Sequence, residues 1–423
     1  MRINGEISLP GDKSISHRSL MFASLTDGEC IIHNISTGED VESTRKCLAQ
    51  CGIESHKEGS TVCINGGVFS DPSEPLDCGN SGTTIRLLAG LLAGQRVRAE
   101  FIGDESLTKR PMNRIISPLS KMGVGIESNK GSLPLKIKPV KVNGISFIPP
   151  VASAQVKSSI LLASLGTPGL TTVIENEITR NHTEILLKLF GANIKIKRKK
   201  NKNLIFLRGQ QELIAKNIKI SGDSSSALIV GAAALITPNS EIKIKNVNVN
   251  KTRFTFFNVL KKMNANIHIS KKGCVSNEEI ADITFKSSQL KGVHLEKKTV
   301  SGMIDEIPIF SIIAAFASSN SSFSGGEELK YKESNRIDSI YSGLLKCKVK
   351  VKKKLNGLSI ISNKNKPYGG STIQTNFDHR IAMSFLIMGI ASVKKIKINE
   401  SNCIKTSFPN FVNLINNLGA KIS

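Results

Sequence analysis

Positively charged side chains recur directly after sharp turns in this chain, at places where helices are expected to begin. The first such segment, residues 9–18 (LPGDKSISHR), puts Lys13 and Ser14 in the first turn of a helix and Arg18 one turn later. A helix N-terminus carries partial positive charge, so two cations there are unfavourable unless an anion lies between them. The pattern therefore indicates an anion-binding site. The plain alternative is an N-cap by Asp12 or Ser14 beside two solvated cations.

Comparable segments follow along the chain. Residues 77–86 (DCGNSGTTIR) combine glycines that let backbone approach a ligand with the donors Asn80, Thr83 and Thr84. Arg110 stands just before a proline at a predicted helix start, and its guanidinium can form a bidentate pair with phosphate or carboxylate. Further cations at predicted helix starts are Arg180, Lys332, Arg336 and Arg380. Each of them alone is an ordinary surface charge, and only their recurrence points to a site.

Two carboxylates, Asp305 and Glu333, stand among these cations. Two carboxylates and a lysine in one cleft can divide proton removal, delivery and return between them. Glu306 is interpreted as an ordinary carboxylate that favours the helix dipole. Of the seven histidines, only His17 and His379 are assigned to such helix starts. No zinc-type histidine pair or Ser-His-Asp spacing occurs in the sequence.

The elements that must position these residues repeat six times, at intervals of about 65–80 residues, which suits a β/α supersecondary unit. Each repeat has a polar cluster, a helix of small apolar residues, a hairpin-like stretch and a second helix. The second helices are predicted at Val41–Cys51, Asn113–Met122, Thr183–Phe190, Phe254–Met263, Asn335–Leu345 and Pro409–Leu418. A chain of 423 residues should form two domains of about 200 residues, so the repeats divide as three and three.

The net charge of +24 allows two interpretations, nucleic-acid or membrane binding and attraction of small polyanions. Much of the excess is lysine in residues 195–200 and 350–354, which are predicted to be exposed hairpins. Aromatic residues make up only 5% of the chain and tryptophan is absent, so few side chains could stack on bases. A solvated lysine-rich face is therefore favoured over a nucleic-acid interface.

The eight cysteines form no C-x-x-C pair, which predicts structural thiols in a reducing compartment and no metal site. The start of the chain lacks the apolar core of a signal peptide. The longest apolar run, near residues 307–317, is too short to span a membrane. A soluble, cytoplasmic protein is expected.

Seven segments together resemble the 5-enolpyruvylshikimate-3-phosphate (EPSP) synthase family, in the family's order and over essentially the whole chain. They read LPGDKSISHR, GNSGTT, KRPM, SAQVKS, MIDE, KESNRI and DHRIAM. The resemblance implies an α/β (α+β) fold of two similar domains, each of three βαβαββ units in an inside-out α/β barrel, with the active site in the cleft between them. It places residues 1–12 and 222–423 in one domain and 13–221 in the other, with hinge crossings near 11–13 and 221–223.

The implied reaction transfers the enolpyruvyl group of phosphoenolpyruvate to the 5-hydroxyl of shikimate 3-phosphate and releases phosphate. It belongs to the shikimate pathway of aromatic amino acid biosynthesis and uses no metal or organic cofactor. A monomer is the default. By resemblance, shikimate 3-phosphate is held by Ser14, Arg18, Ser153, Gln155, Arg180, Asp305 and Lys332, and phosphoenolpyruvate by Lys13, Asn80, Gly82, Arg110, Arg336 and Arg380. The implied acid–base residues are Lys13, Asp305 and Glu333, with His379 as a weaker candidate.

Three positions depart from the family pattern. Ala154 stands where many members have serine, and Asn335 replaces an acidic residue. Some members bind phosphoenolpyruvate through a lysine near the C-terminus; the alignment puts Thr406 there, which leaves a role for the adjacent Lys405 in doubt. These departures resemble the branch with naturally glyphosate-tolerant members, whereas Gly82 is the residue associated with sensitivity.

Two alternative functions stay open. The related transferase acting on UDP-N-acetylglucosamine carries a catalytic cysteine in the loop that corresponds to residues 107–112, and this chain has none there. A non-catalytic basic protein that binds RNA or an acidic partner would not need Lys13, Asp305 and Glu333.

Overall fold

The structure is a computed structural model that describes residues 2–139, 141–200, 202–363 and 365–423. Its helices are α1 Lys13–Ala23, α2 Glu39–Gln50, α3 Gly82–Gly94, α4 Glu105–Thr108, α5 Asn113–Met122, α6 Ala154–Leu165, α7 His182–Leu189, α8 Ser224–Ile236, α9 Thr255–Lys262, α10 Lys297–Gly302, α11 Ile307–Ala315, α12 Arg336–Lys346, α13 His379–Ala391 and α14 Phe411–Asn417. Short 3₁₀ helices lie at Lys251–Arg253, Ile304–Glu306, Glu327–Tyr331 and Ser401–Thr406.

The strands are β1 Asn4–Ser8, β2 Thr26–His33, β3 Ser55–Glu58, β4 Thr61–Gly66, β5 Leu76–Asp77, β6 Ala99–Ile102, β7 Val124–Asn129, β8 Ser132–Pro139, β9 Ser146–Phe147, β10 Leu170–Glu175, β11 Ile194–Lys199, β12 Lys202–Arg208, β13 Leu213–Ile214, β14 Ile218–Lys219, β15 Glu241–Asn248, β16 Asn266–Val275, β17 Glu278–Lys286, β18 His294–Leu295, β19 Ser321–Phe323, β20 Lys350–Lys354, β21 Gly357–Ile361, β22 Thr372–Ile373 and β23 Lys397–Ile398.

The chain divides into two compact units. Unit 1 consists of Met1–Pro10, Ser221–Cys274 and Glu279–Ser423, and unit 2 of Gly11–Ile220 and Val275–Glu278. Each unit encloses its own apolar core, which is the mark of a domain.

Among the described residues, five of the six sheets share one strand order. In unit 2 the orders are β13-β2-β4-β3, β5-β6-β8-β7 and β9-β10-β12-β11; in unit 1 they are β1-β15-β17-β16 and β18-β19-β21-β20, with β22 paired to β23. In the β5 sheet, for example, β5 runs parallel to β6, and β8 runs antiparallel to both β6 and β7. Since α3 joins β5 to β6, and α4 and α5 lie between β6 and β7, this is the βαβαββ order that the family resemblance implies.

The first helix of each repeat is buried almost all round, because its small apolar residues present no polar face. In unit 2, α3 and α6 approach each other to backbone contact. A Cβ on Gly90 would lie 2.1 Å from the carbonyl oxygen of Ser159, and one on Gly94 would lie 2.6 Å from that of Ala163. Only glycine permits this approach. The tight packing fixes the positions at which these helices begin.

The second helices lie where the sequence predicts them, to within two residues at either end. The lysine-rich segments form β11 and β20, whose side chains are largely exposed. Both strands lie at the edges of their sheets. Charged edge strands resist pairing with a second molecule, so the lysines have a structural use that needs no ligand.

Candidate functional site

The first turns of the buried helices in unit 2 are set by side-chain caps. Asp12 Oδ1 accepts a hydrogen bond from the Ile15 amide at 3.0 Å, and Ser81 caps α3 through the Thr84 amide at 3.1 Å. Ser153 caps α6 in the same way. Such caps satisfy amides that the helix leaves unbonded and fix the residue at which it starts. Of the two predicted caps for α1, Asp12 is therefore the one used.

Lys13 has a carboxylate partner within the chain. Its Nζ lies 2.7 Å from Asp40 Oδ2, and both side chains are mostly buried. The carbonyl of Ser14 accepts a hydrogen bond from Arg18 Nη1 at 2.9 Å. Sequence reasoning expected an anion beside Lys13 but did not name Asp40. The acidic pair Glu39 and Asp40 at the start of α2 was the signal that could have found it.

Arg18 ties α1 to the helices that carry other predicted substrate residues. Its Nε donates to Thr183 Oγ1 and its Nη2 to Ser158 Oγ, each at 2.8 Å. Burial lowers the pKa of Arg18 to about 10; the charge of Glu184 acts in the opposite direction and that of Arg180 lowers it further. Arg180 lies three residues before Thr183, so two predicted ligands of shikimate 3-phosphate belong to the same part of unit 2.

The predicted phosphoenolpyruvate residues of unit 2 also cluster. Arg110 donates to Asn80 through its Nη2, at 2.5 Å from Oδ1, and through its Nη1, at 3.1 Å from the carbonyl oxygen. A Cβ on Gly82 would lie 2.9 Å from Arg86 Nη1 and 3.3 Å from Arg110 Nη1. Arg86 Nη1 also donates to Gln155 Oε1 at 2.8 Å. Arg86, which sequence reasoning did not assign, thus joins the two predicted ligand sets of this unit.

In unit 1 the expected acid–base carboxylates surround one buried guanidinium. Arg336 is 1% exposed, and its nitrogens lie 2.8 Å from Asp378 Oδ2, 2.6 Å from Glu333 Oε2 and 3.4 Å from Asp305 Oδ1. Lys332 Nζ lies 3.1 Å from the same Asp305 oxygen. Burial alone would lower the pKa of Arg336, but the carboxylates of Asp378 and Glu333 raise it above its ordinary value. Arg336 is therefore a permanent cation that holds these carboxylates together.

Glu306 has a larger part than the sequence indicated. It ends the 3₁₀ turn before α11 and is buried. Its Oε1 accepts from Ser225 Oγ at 2.5 Å and lies 3.9 Å from guanidinium nitrogens of both Arg253 and Arg380. Arg380 Nη1 also donates to the Asp305 carbonyl at 3.0 Å. Treating Glu306 as a simple dipole partner was wrong, because its carboxylate lies in a buried ionic cluster beside a predicted phosphoenolpyruvate ligand.

His379 is buried, with Nδ1 3.2 Å from Thr406 Oγ1. The Thr406 hydroxyl donates to the Cys403 carbonyl at 2.8 Å, so His379 Nδ1 must be the donor of the pair. Lys405, one residue earlier, is exposed. Thr406 therefore contacts His379, one of the predicted site residues.

His17 lies inside unit 2 and bonds Thr44 Oγ1 through Nδ1 at 2.7 Å. Thr44 in turn bonds Thr84 Oγ1 at 2.7 Å, which links α1, α2 and α3. Burial and then the charges of Lys13 and Arg18 lower the pKa of His17 well below its ordinary value. His17 is therefore neutral at physiological pH and acts as a structural link.

Within the described ranges, no group of three or more His, Cys, Asp or Glu residues could hold a metal ion. Nor does any helix in those ranges have the length and apolar character to cross a membrane.

A family model described as EPSP synthase (3-phosphoshikimate 1-carboxyvinyltransferase) matches residues 1–415. The chain belongs to the EPSP synthase family. Proteins named 3-phosphoshikimate 1-carboxyvinyltransferase from Pseudomonas sp. (strain PG2982) and Brucella abortus (strain S19) are each 42% identical to it, over 99% and 100% of this chain and 95% of their own.

Solved structures agree with this assignment. An EPSP synthase of Acinetobacter baumannii, 37% identical, covers 100% of this chain and 97% of its own with a TM-score of 0.86. An enolpyruvyl transferase of Streptomyces tendae, only 14% identical, has a TM-score of 0.81 and covers 100% of this chain and 96% of its own, which shows the shared fold alone. The predicted fold class and the prediction of an EPSP synthase family enzyme are confirmed.

Proposed function

We propose that this chain transfers the enolpyruvyl group of phosphoenolpyruvate to the 5-hydroxyl of shikimate 3-phosphate, with release of phosphate. The observation that carries the proposal is the clustering, within each unit, of cations and carboxylates at the starts of buried helices. The two substrates together bring about five negative charges, since a phosphate monoester alone carries up to about two. Charge-assisted bonds from arginine, together with helix N-termini, suit such ligands.

The proposed ligands come from both units. For shikimate 3-phosphate they are Ser14, Arg18, Ser153, Gln155 and Arg180 of unit 2 with Asp305 and Lys332 of unit 1; for phosphoenolpyruvate they are Lys13, Asn80, Gly82 and Arg110 of unit 2 with Arg336 and Arg380 of unit 1. Units 1 and 2 are proposed to be the two family domains. The breaks between Pro10 and Gly11 and between Ile220 and Ser221 support hinge crossings near 11–13 and 221–223.

In the first step of the reaction one protein group takes up a proton and another gives one up. In the second step both groups return to their starting protonation states. In the first step the 5-hydroxyl oxygen bonds to the enol carbon, the hydroxyl proton leaves, and the methylene carbon gains a proton to give a tetrahedral intermediate. In the second step a methyl proton leaves as the bond from carbon to the phosphate oxygen breaks, which restores the enol. We assign these transfers to Lys13, Asp305 and Glu333, with His379 as a weaker candidate.

Lys13 and Glu333 each lie against a group of opposite charge, Asp40 and Arg336 respectively. An opposite charge within hydrogen-bond distance orients a proton-transferring side chain. Arg336 holds Glu333 and Asp305 at once, so both unit 1 candidates are oriented by the same guanidinium. A cytoplasmic, monomeric enzyme accords with the family assignment.

The test is a phosphate-release assay. Phosphate should appear only when shikimate 3-phosphate and phosphoenolpyruvate are both present, and an enolpyruvyl ether of shikimate 3-phosphate should accumulate in equal amount. UDP-N-acetylglucosamine in place of shikimate 3-phosphate should give no release. Turnover with the nucleotide sugar, or with neither acceptor, would refute the proposal.

A further inference from the structure

One lysine that is not among the proposed substrate ligands is completely enclosed in unit 2. Lys157, in the first turns of α6, has a side chain 1% exposed, and its Nζ lies 2.9 Å from Glu175 Oε1 and 2.7 Å from Glu184 Oε1. Both carboxylate side chains are 3% exposed. We call Lys157, Glu175 and Glu184 the buried triad. It joins three elements, since Glu175 ends β10 and Glu184 lies in the first turn of α7.

One arm of the buried triad reaches the segment that carries Arg180. Glu175 Oε1, the oxygen that contacts Lys157, also accepts hydrogen bonds from the Thr179 hydroxyl at 2.5 Å and the Thr179 amide at 3.3 Å. Thr179 directly precedes Arg180. Lys157 therefore fixes, through one carboxylate oxygen, the backbone from which the Arg180 side chain extends.

The other arm reaches Arg18. Glu184 follows Thr183, whose hydroxyl accepts from Arg18 Nε at 2.8 Å. Ser158, which follows Lys157 on α6, accepts from Arg18 Nη2 at 2.8 Å and lies 2.6 Å from the Thr183 hydroxyl. The start of α7 is thus held against α6 by an ion pair and by hydroxyl bonds, and Arg18 is bonded to both helices.

Four of the buried charges in this region belong to the buried triad and to Arg18. Lys157 and Arg18 carry two positive charges, and Glu175 and Glu184 carry two negative charges, all of them buried. Buried ion pairs are often no more stabilising than apolar residues of similar volume, because removing the charges from water costs as much as the pairing returns. Stability alone therefore does not account for the buried triad, whereas the need to orient two guanidiniums for a phosphate-bearing ligand does.

We propose that Lys157 is a positioning residue for shikimate 3-phosphate, acting through Glu175 on Arg180 and through Glu184 on the α7 start that holds Arg18. The inference rests on the proposed function, because Arg180 and Arg18 are assigned to that substrate. Lys157 itself is enclosed and is not one of the proposed substrate ligands. Its removal should loosen shikimate 3-phosphate binding and leave phosphoenolpyruvate binding nearly intact.

The experiment compares Lys157→Met, which keeps length and removes charge, with the parent enzyme. The matched control is Lys138→Met, which breaks an exposed ion pair with Glu127 in the same unit. Calorimetric titration with shikimate 3-phosphate alone gives Kd, and steady-state kinetics give kcat and KM for each substrate. Thermal unfolding shows that each variant is folded at the assay temperature.

The expected result is a rise of about tenfold or more in the Kd and KM for shikimate 3-phosphate, which is 1.4 kcal/mol or more, with KM for phosphoenolpyruvate within about threefold of the parent. Lys138→Met should match the parent in every constant. Unchanged shikimate 3-phosphate constants in folded Lys157→Met overturn the proposal. Equal losses for both substrates, or a loss of kcat alone, also overturn it.

A second variant covers the case in which Lys157→Met does not fold. The double variant Lys157→Met, Glu184→Gln removes one charge of each sign and keeps the net charge of the buried region. It should show the same selective loss, and parental constants in it would overturn the proposal. The parent's own turnover of both substrates tests the proposed function separately, so failure of one inference is distinguishable from failure of the other.

Discussion

Replacing Gly82 with alanine should weaken phosphoenolpyruvate binding without unfolding unit 2. The added methyl would lie 2.9 Å from Arg86 Nη1 and 3.3 Å from Arg110 Nη1, so the Arg86 guanidinium must retreat by about 0.5 Å to reach an ordinary contact of 3.4 Å. Both atoms end flexible side chains, which can move at little cost to the fold. The retreat of Arg86 strains its bond to Gln155, and the close approach to Arg110 disturbs the bonds from Arg110 to Asn80.

The size of the effect follows from those bonds. A hydrogen bond to a charged group contributes about 1.5–3 kcal/mol, and a partial loss of about 1–2 kcal/mol would raise KM for phosphoenolpyruvate about 5–30-fold. By family resemblance, glyphosate occupies the same pocket and extends further than the substrate. The methyl should therefore repel the inhibitor more strongly, and the ratio of its inhibition constant to KM should rise by about tenfold or more.

The assay measures KM for both substrates and glyphosate inhibition at matched saturation with phosphoenolpyruvate. Gly67→Ala is the control, because a Cβ there meets nothing within 4 Å. KM for shikimate 3-phosphate should change less than KM for phosphoenolpyruvate in Gly82→Ala, since only the bond from Arg86 to Gln155 reaches that substrate's proposed ligands, and Gly67→Ala should match the parent. Parental values of both the phosphoenolpyruvate KM and the inhibitor ratio in Gly82→Ala would show that this glycine does not line the pocket.

Three further predictions concern single side chains. Lys13→Met should abolish turnover in a folded enzyme, and activity within tenfold of the parent in the phosphate-release assay would contradict its assignment. Arg180→Ala should weaken shikimate 3-phosphate binding and Arg110→Ala mainly phosphoenolpyruvate binding, each by about 2–4 kcal/mol in KM comparisons; equal losses for both substrates would argue against the division. His17, whose pKa is lower folded than unfolded, contributes stability that is present above about pH 6.5 and is lost as the pH falls, by up to about 1.4 kcal/mol per pH unit. In urea titrations from pH 7 to 5, His17→Gln should lose stability less steeply than the parent, and identical slopes would disprove this.

Short-range pattern was enough to predict the repeated elements. The buried helices follow runs of small apolar residues, and their starts follow capping residues such as Asp12 and Ser153, which are local signals. The resemblance added the order of the motifs and the assignment of ligands such as Arg110 to one substrate or the other. Those ligand assignments are proposals that the predictions above are designed to test.

The partners of the site residues could not be predicted in the same way. Lys13 and Asp40 are 27 positions apart, and Arg86 and Gln155 are 69 apart. Which carboxylate or amide reaches a given cation depends on how whole helices pack, and no local periodicity encodes that. Glu306 shows the consequence: its sequence neighbours indicate only a helix start, whereas packing brings guanidinium nitrogens of Arg253 and Arg380 to 3.9 Å from its carboxylate.

Unit 1 is built from separate segments of the chain, and this affects the order in which the protein can fold during synthesis. Strand β1 pairs with β15, from Asn4 opposite Glu241 to Ser8 opposite Lys245, and the Asn4 amide donates to the Leu418 carbonyl. At about 5–20 residues per second, a ribosome needs on the order of tens of seconds to make the chain between Asn4 and Leu418. Most of unit 2 is one continuous stretch that can fold as it emerges, while β1 must wait with unpaired backbone until β15 is made, and the Asn4 amide must wait for Leu418. Unit 1 can therefore be completed only after unit 2 has been made.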